Sequence, residues 1–159
     1  NMQRAFLEES IICDMPVNTK DRGLDISRHP NQLYRLFYYI SHNFSHFAGL
    51  AVVRLRYFFL MVRDYYSTLH NIYLLVHMGI LYLAILIGWR NIRKTASKAL
   101  LAFSISTILF FALAVAFQCD DYHNRFILTL TPVFVVLALT GVRQLLQKMF
   151  NSFSGPDRG

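Results

Sequence analysis

Charged residues are scarce in this chain: Asp, Glu, Lys and Arg make up 16% of its 159 residues, against about 25% in an ordinary soluble domain. The shortage is concentrated. No charged residue occurs from Ala99 to Phe117 or from Phe126 to Val142. Several motifs are also missing, and each absence removes a function class. Without a Ser nucleophile motif, a P-loop, a dinucleotide glycine pattern or a Cys or His metal pair, nothing points to a serine hydrolase, a nucleotide hydrolase, a nicotinamide enzyme or a zinc site. The chain starts at Asn1 with no basic n-region and no early apolar run, so its first residues are not expected to be a signal peptide. No repeat or low-complexity tract occurs.

Hydrophobic residues fill the space, at 55% of the chain with 15% aromatic and a mean hydropathy of +0.35. Crossing a bilayer core takes roughly 20 apolar residues in a helix. The stretches Asn71 to Trp89, Lys98 to Phe117 and Phe126 to Val142 meet that need, with Gly141 to Leu146 extending the last by a turn. The expected fold is therefore all-α and integral to a membrane. Three transmembrane helices, within residues 67–150, follow amphipathic interfacial helices at 32–66, after an external polar segment at 1–31. Asn151 to Gly159 reads as a disordered tail.

Basic residues collect on the cytoplasmic side of short loops. The connection from Arg90 to Lys98 carries four basic residues and no acid, whereas Gln118 to Arg125 has two acids and one base. The 90–98 loop and the C-terminus are thus expected in the cytoplasm, with Gln118 to Arg125 and residues 1–70 outside. The net charge of +7 is then mostly an orientation signal, and nothing suggests nucleic acid. An external segment with no export signal before it implies further sequence upstream, a missing N-terminal membrane region of the same protein. Cys13 and Cys119 both fall outside, where a disulfide can form; two free thiols in apolar surroundings is the preferred reading.

Ahead of the spans, Met2 to Cys13 is expected as a short helix with Glu8 and Glu9 on its wet face, and Asn18 to Gly23 as a turn. Leu33, Leu36, Phe37, Ile40, Phe44 and Phe47 then recur at helical spacing, with Arg35, His42 and His46 on another face. Gly49 to Val62 is apolar but interrupted by Arg54 and Arg56. Helices lying in the outer interface with snorkelling arginines are the preferred placement; a buried or re-entrant helix over Gly49 to Tyr66 is the alternative.

Two clusters carry chemistry. Tyr66, His70, Tyr73 and His77 share one helical face as the chain enters the first span, beside Asn71. Histidine is costly against lipid, so this stripe is expected to face the bundle or an external cavity; for the tyrosines alone, an aromatic interface anchor serves equally. His70 and His77 stand about 10.5 Å apart along a straight helix, too far to share one ion. The second cluster, Asp120, Asp121, His123, Asn124 and Arg125, is a polar knot between two uncharged runs. Arg125 can grip a phosphate in a forked geometry. A carboxylate there can act as a general base or hold a divalent cation with a phosphate, although no motif calls for a cofactor. The alternative is an internal Asp121 to Arg125 pair capping the third span.

Smaller signals follow. Ala99, Ala102 and Ser106 suit close helix packing. Pro132 should kink the third span, with Thr129 or Thr131 available to the freed carbonyl. Asn43-Phe44-Ser45 matches a glycosylation triplet.

Read together, Ile40-Ser41-His42-Asn43, Phe47, Leu50, Arg54 through Phe58-Phe59, Arg63, Tyr66-Ser67, His70-Asn71 and the ending Arg125-Phe126, Pro132, Leu137-Ala138-Leu139, Gly141 resemble a known family. Over residues 33–148 the chain is similar to the C-terminal region of bacterial multi-spanning glycosyltransferases of the GT-C type, such as protein O-mannosyltransferases and the lipid A aminoarabinose transferase. The resemblance implies a bacterial inner-membrane protein that moves a sugar from a polyprenyl-phosphate carrier to an acceptor on the external face. It places the catalytic Asp in an early external loop, upstream of this chain, so Asp120 and Asp121 are not catalytic by analogy. It also gives Arg125 a place near the lipid phosphate, with Asp121, His123, Asn124, His70, Asn71 and His77 as further substrate-binding candidates. The chain departs from the pattern at Phe44, where many relatives carry a helix-breaking proline. A non-catalytic membrane subunit or scaffold, whose external loop binds a partner protein, is the other function class the residues allow.

Overall fold

The computed structural model describes residues 6–13, 23–119 and 124–153, with helices and no strand among them. The first helix, α1 (Gln32–His42), starts where the Asn31 side chain accepts from the backbone N–H groups of Leu33 and Tyr34 at 2.9 and 3.3 Å. That satisfies two of the donors a helix start leaves open. The helix stops at Asn43, whose side chain accepts from Asp25 N and donates to Asp25 O and Tyr39 O. The break between the two helices is thus made by an asparagine amide. An amide so engaged is a poor glycan acceptor. The chain resumes as α2 (Phe44–Leu60), which ends at Met61 in the left-handed region.

Serine caps start the next two helices. Ser67 Oγ accepts from His70 N at the start of α3 (Thr68–Thr95), and Ser97 Oγ accepts from Leu100 N at the start of α4 (Lys98–Phe117). The last helix, α5 (Arg125–Phe153), runs unbroken through Pro132. Thr129 and Thr131 donate to Phe126 O and Ile127 O, so neither reaches the Leu128 carbonyl that proline leaves without its helical donor. Stretches of α3, α4 and α5 are long and apolar enough to cross a membrane. The protein is an all-α integral membrane protein, and the expected spans fall inside these helices. The extra turn after Gly141 is present and continues to Phe153. Asn151 to Phe153, expected as tail, are therefore helical, and 154–159 lie outside the described residues.

The spans do not form an even triangle. α3 and α5 run parallel and pack most extensively on each other. They touch backbone to backbone at Gly88 and Gly141, where a Cβ on Gly141 would lie 2.9 Å from Gly88 Cα. Asn91 Nδ2 donates to Gly141 O across the same crossing at 3.2 Å. Close approach was expected at Ala99, Ala102 and Ser106, but those positions are exposed because α4 packs chiefly on α2. The end of α2 explains this. Phe58 is fully buried among Met78, Val115, Ile127 and Leu130, and Tyr82 Oη donates to Phe59 O at 2.8 Å. Tyr82 lies about 21 Å along α3 from its start. Of the two placements open for Gly49 to Tyr66, the C-terminal end of α2 takes the inserted one, as a wedge among the spans.

A second core forms where α4 ends. Phe6 is fully buried and stacks on Tyr39 with ring centroids 4.9 Å apart, and Leu36, Leu50, Phe47 and Phe117 complete the cluster. Only half of the expected apolar stripe on α1 and α2 turns inward: Leu33, Phe37 and Phe44 are exposed, as suits helices that leave an apolar face for lipid. The segment 6–13 is not a wet amphipathic helix either. Its one described turn ends at Glu9, which has positive φ, and Phe6, Ser10 and Ile12 are buried. A disulfide joins Cys13 to Cys119, 106 residues apart, and overturns the expectation of free thiols. Packing of 6–13 on the end of α4 brings the two sulfurs together. Residues 18–22 of the expected turn lie outside the described residues.

Candidate functional site

The end of the bundle where α3 and α5 start and α4 stops carries a connected polar cluster. Arg63 and Asn71 clasp each other: Arg63 N donates to Asn71 Oδ1 at 3.0 Å, and Asn71 Nδ2 donates to Arg63 O at 2.9 Å. This pins the 61–67 connection to the first turns of α3. The Arg63 guanidinium is fully buried and its Nη1 donates to Tyr57 O and Val62 O, both at 2.9 Å. A cation is favoured there, at the carbonyl end of α2.

Tyr66 links this clasp to α5. Its hydroxyl accepts from Asn124 Nδ2 at 3.3 Å, and its ring centroid is 4.5 Å from that of His70. Asn124 is 3% exposed, sits at positive φ immediately before α5, and its Oδ1 has no hydrogen-bond partner among the described residues. Arg125 follows as the exposed first residue of α5. His70, Asn71, Asn124 and Arg125 are therefore gathered at one end through Tyr66 and Arg63. Beside them lies an open hollow of about 470 Å³ lined by Ser67, Leu69, His70 and Tyr73. Asp120, Asp121 and His123 lie outside the described residues.

His77 does not join the cluster. It stacks on Tyr73 with centroids 6.2 Å apart, and His70, Tyr73 and His77 are all exposed. The stripe was expected to face the bundle or an external cavity; His70 and Tyr73 line the open hollow, but the stripe does not face the bundle. Instead α3 turns Leu74, Met78, Leu81, Tyr82 and Ile85 inward, because that apolar face matches α5 and the end of α2.

Two groups outside the expected set stand out. Arg54, expected to snorkel, is fully buried: Nε donates to Ser10 O at 2.8 Å and Nη1 to Ala116 O at 3.2 Å. Its guanidinium carbon lies 4.8 Å from the Phe6 ring centroid. Burial lowers its pKa to about 10, so it is still charged at neutral pH. Burial also pushes the Tyr39 hydroxyl up to about 12, and this neutral phenol bonds His46 Nδ1. His46 Nε2 in turn meets Glu9 Oε1 at 3.0 Å. The signal for the arginines was in the sequence, since an ionisable group inside an apolar run demands buried partners. The Glu9 to His46 contact joins residues 37 apart and had no local signal.

Chemically, the cluster around Tyr66 offers donors: an exposed guanidinium, an imidazole and the open N–H groups of a helix start. Such a set suits holding an anion. No group of three or more His, Cys, Asp or Glu able to hold a metal occurs among the described residues. Comparison of the chain with protein-family models, curated proteins and solved structures finds no match.

Proposed function

We propose that the chain is a membrane part of a glycosyltransferase that takes its sugar from a polyprenyl-phosphate carrier on the extracytoplasmic face. The observation that carries this is the exposed Arg125 at the start of α5, next in sequence to Asn124, which bonds the Tyr66 hydroxyl. A carrier phosphate gains charge as its sugar leaves, and a preplaced guanidinium favours that change. Sidedness draws support from two independent features: the basic 90–98 loop at the opposite end, and a disulfide at this end, which persists in oxidising compartments. The catalytic acid is not assigned to these residues. In cells, Arg125→Ala should lower transfer at limiting donor by about 10²-fold with membrane insertion unchanged; unaltered turnover would sink the assignment.

A second reading, a non-catalytic module that docks another membrane protein, is favoured by one observation. His77 lies within the first span yet faces outward, where hydrocarbon is a costly neighbour. A photo-crosslinking residue in place of His77 should then give an adduct with another polypeptide. Lipid adducts alone would count against docking.

A further inference from the structure

The wedge of α2 keeps α3 and α4 apart, and below it an apolar cavity of about 540 Å³ opens between them. Phe59 forms its roof, Tyr82, Leu86 and Trp89 its α3 wall, Ile105 and Ile108 its α4 wall, and Phe134 and Leu137 of α5 close its back. Its size falls within the roughly 300–1,000 Å³ of small-molecule pockets. The hydroxyl of Tyr82 is already bonded to Phe59 O, and the indole of Trp89 carries the other polar side-chain group of the lining, so the walls offer a ligand mainly hydrocarbon contact.

Both walls end in a cation on the same side. Tyr82, Leu86, Trp89 and Arg93 follow at spacings of 4, 3 and 4 and share one helix face. The Arg93 guanidinium carbon lies 5.9 Å from the Trp89 ring centroid. On α4, Lys98, Ile105 and Ile108 follow at 7 and 3, again one face. Arg90, Arg93, Lys94 and Lys98 are exposed, and no acid lies among residues 90–98. An apolar slot whose two walls both run into a cation matches one class of ligand: an apolar chain joined to an anionic head.

We propose that this cavity holds a hydrocarbon chain of an anionic phospholipid from the leaflet on the side of the 90–98 loop, with its phosphate on Arg93 and Lys98. The site lies at the opposite end of the bundle from Arg125 and does not depend on the glycosyltransferase assignment. Orientation alone would explain the basic residues, but not why the cavity faces of two helices each end in one.

Trp89 is the only tryptophan in the chain, so its fluorescence reads the cavity directly. The full chain is reconstituted in phosphatidylcholine vesicles containing a minor fraction of brominated-chain phosphatidylglycerol or, in parallel, brominated-chain phosphatidylcholine. Brominated phosphatidylglycerol should quench Trp89 more strongly at equal fraction, and Lys98→Gln should cut that preference about fivefold. Ile108→Phe, which fills the slot, should remove it. Arg93→Gln reads the same quantity if Lys98→Gln fails to insert. Equal quenching by the two lipids in the wild type overturns the proposal. So does a preference that survives Ile108→Phe, which would place the lipid on loop charge alone.

Discussion

At the end where α4 stops, Arg54 and Arg63 are fully buried and give their donors to backbone carbonyls of Ser10, Ala116, Tyr57 and Val62. At the other end, Arg90, Arg93, Lys94 and Lys98 stand exposed. The same type of side chain does different work in the two places. Buried cations at helix carbonyl ends fix how α2 sits among the spans, because charge-assisted bonds replace the water they lose. Exposed ones, even where one lies over a ring as Arg93 does over Trp89, can be reached by anions from outside. Arg125 lies at the first end but is exposed like the second group, and it is the residue proposed to meet a phosphate.

This contrast can be broken experimentally. The largest effect should come from the disulfide that closes 106 residues: Cys13→Ser should lower stability by about 4 kcal/mol, read as the difference between oxidised wild type and variant in thermal unfolding. Next is Arg54→Met, which removes two charge-assisted bonds and should cost about 3 kcal/mol. Arg125→Ala, measured the same way, should cost less, because that side chain is exposed. Equal losses for the two would erase the distinction. The smallest effect is in alkali. Tyr39 has a folded pKa raised from 10.0 to about 12, so the stability it contributes is complete below pH 10 and is lost as pH climbs toward 12. The stability advantage of wild type over Tyr39→Phe should shrink across that window in alkaline melts, and a constant gap would mean that Tyr39 is not held neutral by burial.

The apolar runs were legible because hydrocarbon thickness sets helix length. Lys98 to Phe117 was bounded to the residue. The helix break at Asn43 was not legible, since its cause is an amide bonded to Asp25 and Phe44 carries no breaking signal. Facing and pairing were not legible. The cost of His77 against lipid pointed to the bundle or a cavity, yet Gly88 and Gly141 set the rotation of α3 by allowing backbone contact. A periodicity argument sees one helix at a time. For the same reason Arg54 read as an interface residue, since its partners Ser10 and Ala116 are 44 and 62 residues away. The separation of α3 from α4, and with it the cavity, depends on the end of α2 entering the bundle. Of the polar knot itself, Asn124 and Arg125 join the cluster, while Asp121 and His123 lie outside the described residues.

The central claim is that the two ends face opposite sides of a membrane, with the stapled end outside. An impermeant maleimide applied to intact cells tests it, using the native cysteines and a Ser97→Cys variant. The expected result is that Cys13 and Cys119 label only after an impermeant reductant is added from outside, and that Ser97→Cys labels only after the membrane is opened. Labelling of Ser97→Cys in intact cells, or of Cys13 and Cys119 without reductant, would contradict it.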